Sequence, residues 1–363
     1  ITPVFPDGKQ DRLTDLLVPG KLLHMDGVTV STGGPVANTG LAMNKLGVDT
    51  TLIAKIGDDL FGQMILTMLR DQGYDSRDGM ILSDEDETSW SVVLAVPGID
   101  RIFLHGPGAN ATFCYEDLNF EQIGEADVFH FGYPPLLRMF YQNGGEALEQ
   151  MFRKVKSFGT ATSLDMCGVD PASEAGRTDW AAVIEQVLPF VDFFVPSVEE
   201  LCFMLDRDQY DEWISRADGR DVTEVLEIDK DVAPLAQKLM SMGAAVVMIK
   251  CGVQGLYYCT AGKERLGRIG CKAGLDVEDW ADRRGFESSY IPDEVLSGTG
   301  AGDTCIADFL TAILKGESFE MCLHMAAAAG AACVATYDAL GGITTYEALR
   351  ERVVQGWRKR DRV

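Results

Sequence analysis

Between residues 126 and 249, short apolar runs alternate with amphipathic ones. Runs at 128–132, 160–165, 193–196 and 245–250 are rich in apolar and β-branched residues and end on Gly132, Asp165, Pro196 and Lys250, a pattern that predicts buried strands. The intervening stretches 146–157, 180–187, 198–205 and 232–242 carry apolar residues at helical spacing. Such alternation predicts a mostly parallel sheet covered by helices on both faces. From Asp303 onward, Ile306, Phe309, Leu310, Ile313 and Leu314 fall three and four apart, which places one apolar stripe on a helix that Gly316 stops. The polar stretches 206–231 and 261–290 fit neither period and read as surface insertions.

The N-terminal third is more broken. Ile1 begins as though already inside an element, so a strand ahead of it is expected. Residues 21–32 read as short strands turning at Asp26 and Gly27. A helix follows through Leu41, Ala42, Lys45 and Leu46 to Gly47, then a strand at 48–56, a turn at 57–62 and a helix at 64–72. Two β-rich runs, 90–96 and 101–105, are joined by Pro97, Gly98, Ile99 and Asp100, which is a hairpin signal. No internal repeat or Pro-rich linker divides the 363 residues.

Composition narrows the partners. With 46% hydrophobic residues, the chain has ample material for a core. Lys+Arg 32 against Asp+Glu 56 leaves a net charge of −24, which disfavours nucleic-acid backbones and anionic membranes. A phosphorylated small molecule stays compatible, because local basic residues override the global field. Nine cysteines, an odd number without a C-x-x-C pair, fit a reducing cytoplasmic setting, and they show no metal-ligand spacing with the four histidines. No apolar run is long enough to span a bilayer.

The stretch 296–310 concentrates the candidate chemistry. Gly298, Gly300 and Gly302 let the backbone turn with its N–H groups uncovered, and a helix start already attracts anions. Asp303 would repel a phosphate there unless it has its own task, and taking a proton from a hydroxyl nucleophile is such a task. The same residues also fit an Asp that merely caps a helix after a glycine turn. In an open α/β sheet, ligands gather at the strand ends. Asp165, the Ser197 to Glu200 segment and the Lys250 to Gly255 segment each follow a strand, so they could share an edge with Gly298–Asp303. A lysine would neutralise phosphate there, and a carboxylate would hold magnesium-bound water. Singly, each has a plain alternative: Glu200 a helix-face charge, Lys250 a solvated strand end, Asp165 a turn former. The chain contains no G-x-x-x-x-G-K-[ST] and no early G-x-G-x-x-G, so P-loop and nicotinamide dehydrogenase chemistry are excluded.

Two motifs bring a family into view. Gly33-Gly-Pro-Val-Ala-Asn-Thr-Gly-Leu-Ala-Met-Asn-Lys-Leu-Gly47, continuing to Ile56-Gly-Asp-Asp-Leu-Phe-Gly62, resembles the N-terminal signature of ribokinase-like (PfkB-type) carbohydrate kinases. Thr299-Gly-Ala-Gly-Asp-Thr304 resembles their C-terminal signature, and Gly106-Pro-Gly-Ala-Asn110, Pro196-Ser-Val-Glu-Glu200 and Lys250-Cys-Gly-Val-Gln-Gly255 stand between in the expected order.

The resemblance implies one ribokinase-like kinase domain over 1–363. It would be a Rossmann-like three-layer α/β sandwich with a small β-sheet lid drawn from about 21–32 and 88–105. It implies ATP as donor, magnesium, a small sugar or sugar-like acceptor, and a homodimer made through the lid. By position, Asp303 is the base and the backbone of Gly300, Ala301 and Gly302 the anion hole. Gly33, Gly34, Asn38 and Asn110 would bind the acceptor, with Asn38 also able to cap its own helix and Asn110 to shape a turn. Ser197, Glu200, Lys250, Gly252, Gly255 and Thr299 would serve the nucleotide, and Asp165 with Glu200 would organise magnesium through water. Ser197 and Ser297-Gly298 depart from the family's usual Asn and Asp-Thr, so K+ activation is left open. They also keep a second reading in play, a non-catalytic sugar- or nucleoside-binding regulator. The substrate Asp expected at the end of the first strand would lie before Ile1.

Overall fold

Six strands form the central sheet, in the spatial order Arg284–Ser288, Gly255–Thr260, Val246–Lys250, Phe193–Phe194, Ala161–Leu164 and Val128–Phe131. A computed structural model of the chain describes residues 1–6, 18–75, 79–96, 102–336 and 339–361. It divides into two compact units, a larger one of 34–52 and 114–363 and a smaller one of 1–33 and 53–113.

The smaller unit holds β1 (Thr2–Val4), β2 (Gly27–Thr29), β3 (Ala54–Gly57), β4 (Met80–Ser83), β5 (Trp90–Leu94) and β6 (Ile102–Gly106). β5 and β6 pair antiparallel as the hairpin pattern predicts, although the connecting residues 97–101 lie outside the described residues. Of 21–32, only β2 is a strand; it pairs with β1, and Ile1, just ahead of β1, accepts through its backbone O from the Val93 amide at 2.9 Å. The expected strand at 48–56 shrinks to β3. The expected turn at 57–62 is a helix start instead: the helix is Leu60–Asp71, capped by Asp59, whose carboxylate accepts from Gly62 N at 2.8 Å and Thr88 N at 2.7 Å.

The larger unit contains β7 (Val128–Phe131), β8 (Ala161–Leu164), β9 (Phe193–Phe194), β10 (Val246–Lys250), β11 (Gly255–Thr260) and β12 (Arg284–Ser288). β7 to β10 run parallel, as the alternation predicts, and β8 and β10 are buried along their whole length. β11 and β12 are antiparallel. Only the short turn Gly252–Gln254 joins β10 to β11, too short for the crossover a parallel partner needs. Helices cover both faces. Ala301–Leu314 and Phe319–Cys333 pack with Gly34–Lys45 on one face through Leu46, Ile306, Phe309, Leu310 and Met325.

Both supposed insertions are structured. Residues 206–231 include the helix Arg207–Ala217, which buries Trp213 completely. Residues 261–290 include the helix Val277–Trp280, with Trp280 against Phe193, Phe309 and Phe319, and then β12. A buried Trp anchors each stretch, with Val222, Leu226 and Ile228 buried in the first and Leu266, Ile269 and Tyr290 in the second. The helix read at 146–157 is the regular part of Arg138–Lys156, which is interrupted at Gln142, Asn143, Gly144 and Gly145, the last three with positive φ.

Candidate active site

Side chains two apart along a strand share a face. Ala161 on β8 and Val246 and Met248 on β10 pack in the core with Ile306, Phe309 and Leu310. Asp165, four residues on from Ala161, and Lys250, two on from Met248, therefore project on the face of the helix Ala301–Leu314. His130 on β7 stands opposite Ser163 in register and on the same side, with its Nδ1 2.9 Å from Ser163 Oγ.

That helix begins without a side-chain cap. Gly300 precedes it with φ 79°, and a Cβ there would meet the Cβ of Ala339 at 2.2 Å, so only glycine fits. No side chain takes its first amides, and the one backbone bond among them, Ala301 N to Gly298 O, is long at 3.4 Å, so the turn can still receive an anion. Asp303, in the first turn, is 3% exposed and does not cap its own helix. Asn38 Nδ2 donates to Asp303 Oδ2 at 2.8 Å, and Tyr133 Oη donates to Asp303 Oδ1 at 2.9 Å. Burial raises the Asp303 pKa; the bond from Asn38, the charge of Lys250 and the bond from Tyr133 oppose that shift.

Asn38 does not cap a helix either. The helix Gly34–Lys45 starts four residues ahead of it, at Gly34 (φ 75°). Asn38 therefore sits inside the helix and reaches across to Asp303. Next to it, Thr39 Oγ1 donates to the backbone O of Asp303 at 3.4 Å.

Beneath this pair lies a buried ion pair. Lys250 Nζ donates to Asp165 Oδ1 at 2.7 Å, and a Cβ on Gly302 would sit 3.5 Å from Lys250 Cε. Lys250 is thus no solvated strand end. Burial would lower its pKa, but Asp165 and Glu200 overcome that and hold it above the ordinary value. Burial pushes Asp165 up to about 6 against the pull of Lys250. Burial first, then the Asp165 charge, push Glu200 up to about 8. Glu200 Oε2 accepts from the Ser197 amide at 3.1 Å, which closes the first turn of the helix Val198–Leu205. Among the described residues, no group of three or more His, Cys, Asp and Glu side chains could hold a metal ion directly. Two carboxylates near a phosphate-compatible helix start fit a hydrated divalent cation carried in on phosphate oxygens.

The other expected site residues have contacts of their own. Gly255, φ 132°, approaches Glu287 O so closely that a Cβ would meet it at 2.1 Å, so β-sheet packing alone accounts for glycine there. Gly252 packs against Thr223, and Thr299 N donates to Ser297 Oγ at 3.1 Å. In the smaller unit, Gly33 ends the segment 1–33, and Asn110 lies in the turn Gly108–Ala111, where its amide donates to Pro107 O. The sequence reading missed Tyr133 and His130. The available signal was the breaker cluster Gly132, Pro134 and Pro135 at a strand end, where a loop residue is aimed rather than packed.

An α/β unit whose sheet edge presents a carboxylate at an uncapped helix start defines a phosphoryl-transfer class of site. The chain belongs to the pfkB family of carbohydrate kinases: the model described as "pfkB family carbohydrate kinase" matches residues 5–345. It is a carbohydrate kinase. Among its relatives, an uncharacterized sugar kinase of Archaeoglobus fulgidus is 22% identical, over 84% of this chain and 98% of that one. Fructokinase-2 of Oryza sativa is 23% identical, over 92% of this chain and 88% of that one. The fold is also that of Arabidopsis thaliana ribokinase, solved with ribose and ATP, with TM-score 0.68 and 19% identity over 97% of this chain and 94% of that one.

Proposed function

We propose that the chain transfers the γ-phosphoryl group of ATP to a hydroxyl of a small, uncharged sugar or sugar-like acceptor, with Asp303 as general base. The observation that carries this reading is the buried Asp303 carboxylate, held by two donors at the start of an uncapped helix. The acceptor oxygen attacks the γ-phosphorus, its proton passes to Asp303, and the bond from phosphorus to the bridging oxygen breaks to release ADP. The amides of Gly300, Ala301 and Gly302 take the charge that spreads over the transferring group. Lys250, seated under Gly302, adds a positive field there without leaving Asp165.

Magnesium, when bound, neutralises phosphate charge, and Asp165 and Glu200 hold its water shell. An Escherichia coli protein of this fold was solved with ATP and Mg2+ (TM-score 0.64, 19% identity). Ser197, Gly252, Gly255 and Thr299 line the nucleotide, and Gly33, Gly34, Asn38 and Asn110 the acceptor. Segments 21–32 and 88–105 act as the lid, and their exposed Val28, Trp90, Phe103 and Leu104 are the surface through which a homodimer forms. No helix among the described residues is long and apolar enough to cross a membrane. Together with free thiols at all nine cysteines, this supports a cytoplasmic setting.

An ADP-coupled screen over free sugars, sugar acids, sugar phosphates and nucleosides tests the proposal. Acceptor-dependent ADP release with a neutral sugar or nucleoside is expected. Release only with sugar phosphates or sugar acids would contradict the uncharged acceptor, and no acceptor-dependent release from any of them would contradict transfer itself.

A further inference from the structure

Both oxygens of Asp303 are held, each by a neutral donor. Asn38 Nδ2 occupies one position on Oδ2 and Tyr133 Oη one on Oδ1. An ionised carboxylate offers about four lone-pair sites, so two remain for an incoming alcohol. A single donor would let the carboxylate plane rock about one oxygen, whereas two donors on different oxygens fix it. We propose that Tyr133 is a positioning residue for the base, its hydroxyl fixing the plane of the Asp303 carboxylate jointly with Asn38, so that the remaining lone pairs are presented to the acceptor in one orientation. The inference rests on the reading of Asp303 as base.

The backbone around Tyr133 is built to hold that phenol still. Tyr133 has φ 60° and ψ 45°, a left-handed conformation uncommon for a residue with a Cβ. Its amide donates to Asp165 O at 3.2 Å, and its carbonyl accepts from Leu136 N at 2.9 Å. Pro134 and Pro135, both buried, follow at once and open the short turn Pro134–Leu136, removing two amides and fixing two φ angles. Before it, a Cβ on Gly132 would meet Pro35 Cβ at 2.3 Å, so the strand end is pressed against the helix that carries Asn38. The two donors to Asp303 thus come from neighbouring, mutually packed segments.

The chemistry suits positioning rather than proton transfer by the phenol itself. Burial, then the charges of Asp303, Asp165 and Glu200 and the Cys167 thiol, raise the Tyr133 pKa well above its ordinary value, so the hydroxyl stays protonated and donates. The cation nearest the pair, Lys250, is committed to Asp165 at 2.7 Å. Burial, then the charge of Lys250, keep His130 neutral. Orientation of the two Asp303 oxygens therefore falls to Asn38 and Tyr133, with the Thr39 hydroxyl, on the backbone O of Asp303 at 3.4 Å, as a weaker neighbour.

Tyr133→Phe removes one oxygen and keeps the ring. Loss of a hydrogen bond to a charged group predicts a kcat lower by about 10- to 100-fold. KM for ATP and for the acceptor should stay within about twofold, because the contact serves the transition state and not binding. In an Asp303→Asn background the same change should leave the residual turnover as it is, since a residue acting through Asp303 has nothing left to orient. A raised acceptor KM with kcat intact, or an equal further loss in the Asp303→Asn background, would overturn the inference by making Tyr133 a substrate contact or a packing residue. The two readings fail separately. If Asp303→Asn keeps full turnover, the base assignment falls and this inference with it. If Asp303→Asn is inactive while Tyr133→Phe turns over at the wild-type rate, only the inference about Tyr133 falls.

Discussion

Asn38 and Asp303 lie 265 residues apart in sequence, and Asn38 Nδ2 meets Asp303 Oδ2 at 2.8 Å. One signature motif thus hands its amide to the carboxylate of the other, and the helices Gly34–Lys45 and Ala301–Leu314 pack side by side to make that possible. The contact lies inside the larger unit.

Asn38→Ala should therefore impair the chemistry. A hydrogen bond to a charged group contributes about 1.5–3 kcal/mol, which corresponds to a fall in kcat/KM of about 10- to 100-fold. Steady-state kinetics beside a thermal melt check this; an unchanged kcat/KM would remove Asn38 from the site.

Lys250 and Asp165 form a buried pair 2.7 Å apart. Lys250→Met leaves Asp165 buried without its partner, and breaking such a pair costs about 3–5 kcal/mol. Denaturant unfolding should show that loss, and partial recovery when Asp165→Leu is added, because removing both charges also removes the desolvation cost. Nucleotide affinity should fall in both variants. A Lys250→Met protein of wild-type stability would show that the pair is not buried as described.

Asp308, five residues past Asp303 on the helix Ala301–Leu314, is 1% exposed, and neither carboxylate oxygen has a hydrogen-bond partner among the described residues. Burial raises its pKa well above the ordinary value. A raised carboxylate pKa means that the folded state holds the proton more tightly than the unfolded state. Its contribution to stability is fully present below about pH 3.9 and is lost as pH rises toward the folded value. Asp308→Asn should therefore melt progressively higher than wild type as the pH is raised from 4 to 8. A melting difference that does not change with pH would contradict this.

Gly300→Ala should fold yet lose phosphoryl transfer. Its φ of 79° and the 2.2 Å approach to Ala339 force the helix start to shift, and strain of about 1–3 kcal/mol falls on the anion hole itself. Equal turnover in wild type and variant, measured by ADP release, would show that the backbone at 300–302 does not bind the transferring group.

The large features were legible because they repeat. The alternation over 126–249 and the stripe from Ile306 to Leu314 appear where the periods place them, and the glycines before Asp303 mark the uncapped helix start. What escaped has no period. Tyr133 works through one left-handed residue and a contact 170 residues away, which neither spacing nor propensity reports. Trp213 and Trp280 each lie in a stretch whose apolar residues are scattered among charged ones without a period, so both stretches read as surface when they are packed. β12 (Arg284–Ser288) lies next to buried β11, yet its own residues are mostly polar or small, so tertiary pairing overrides its local preference. Asp59 resembled part of a turn, although its cap on the Gly62 amide is local; only its second partner, the Thr88 amide, lies far along the chain.

The account stands on Asp303 as the proton acceptor, and the most direct measurement is the initial rate of ADP formation by Asp303→Asn at saturating ATP, magnesium and acceptor. Asn keeps the shape and loses the base, so turnover should fall by a factor on the order of 10²–10⁴ while ATP binding, followed by calorimetry, persists. Turnover close to that of the wild type would contradict the account.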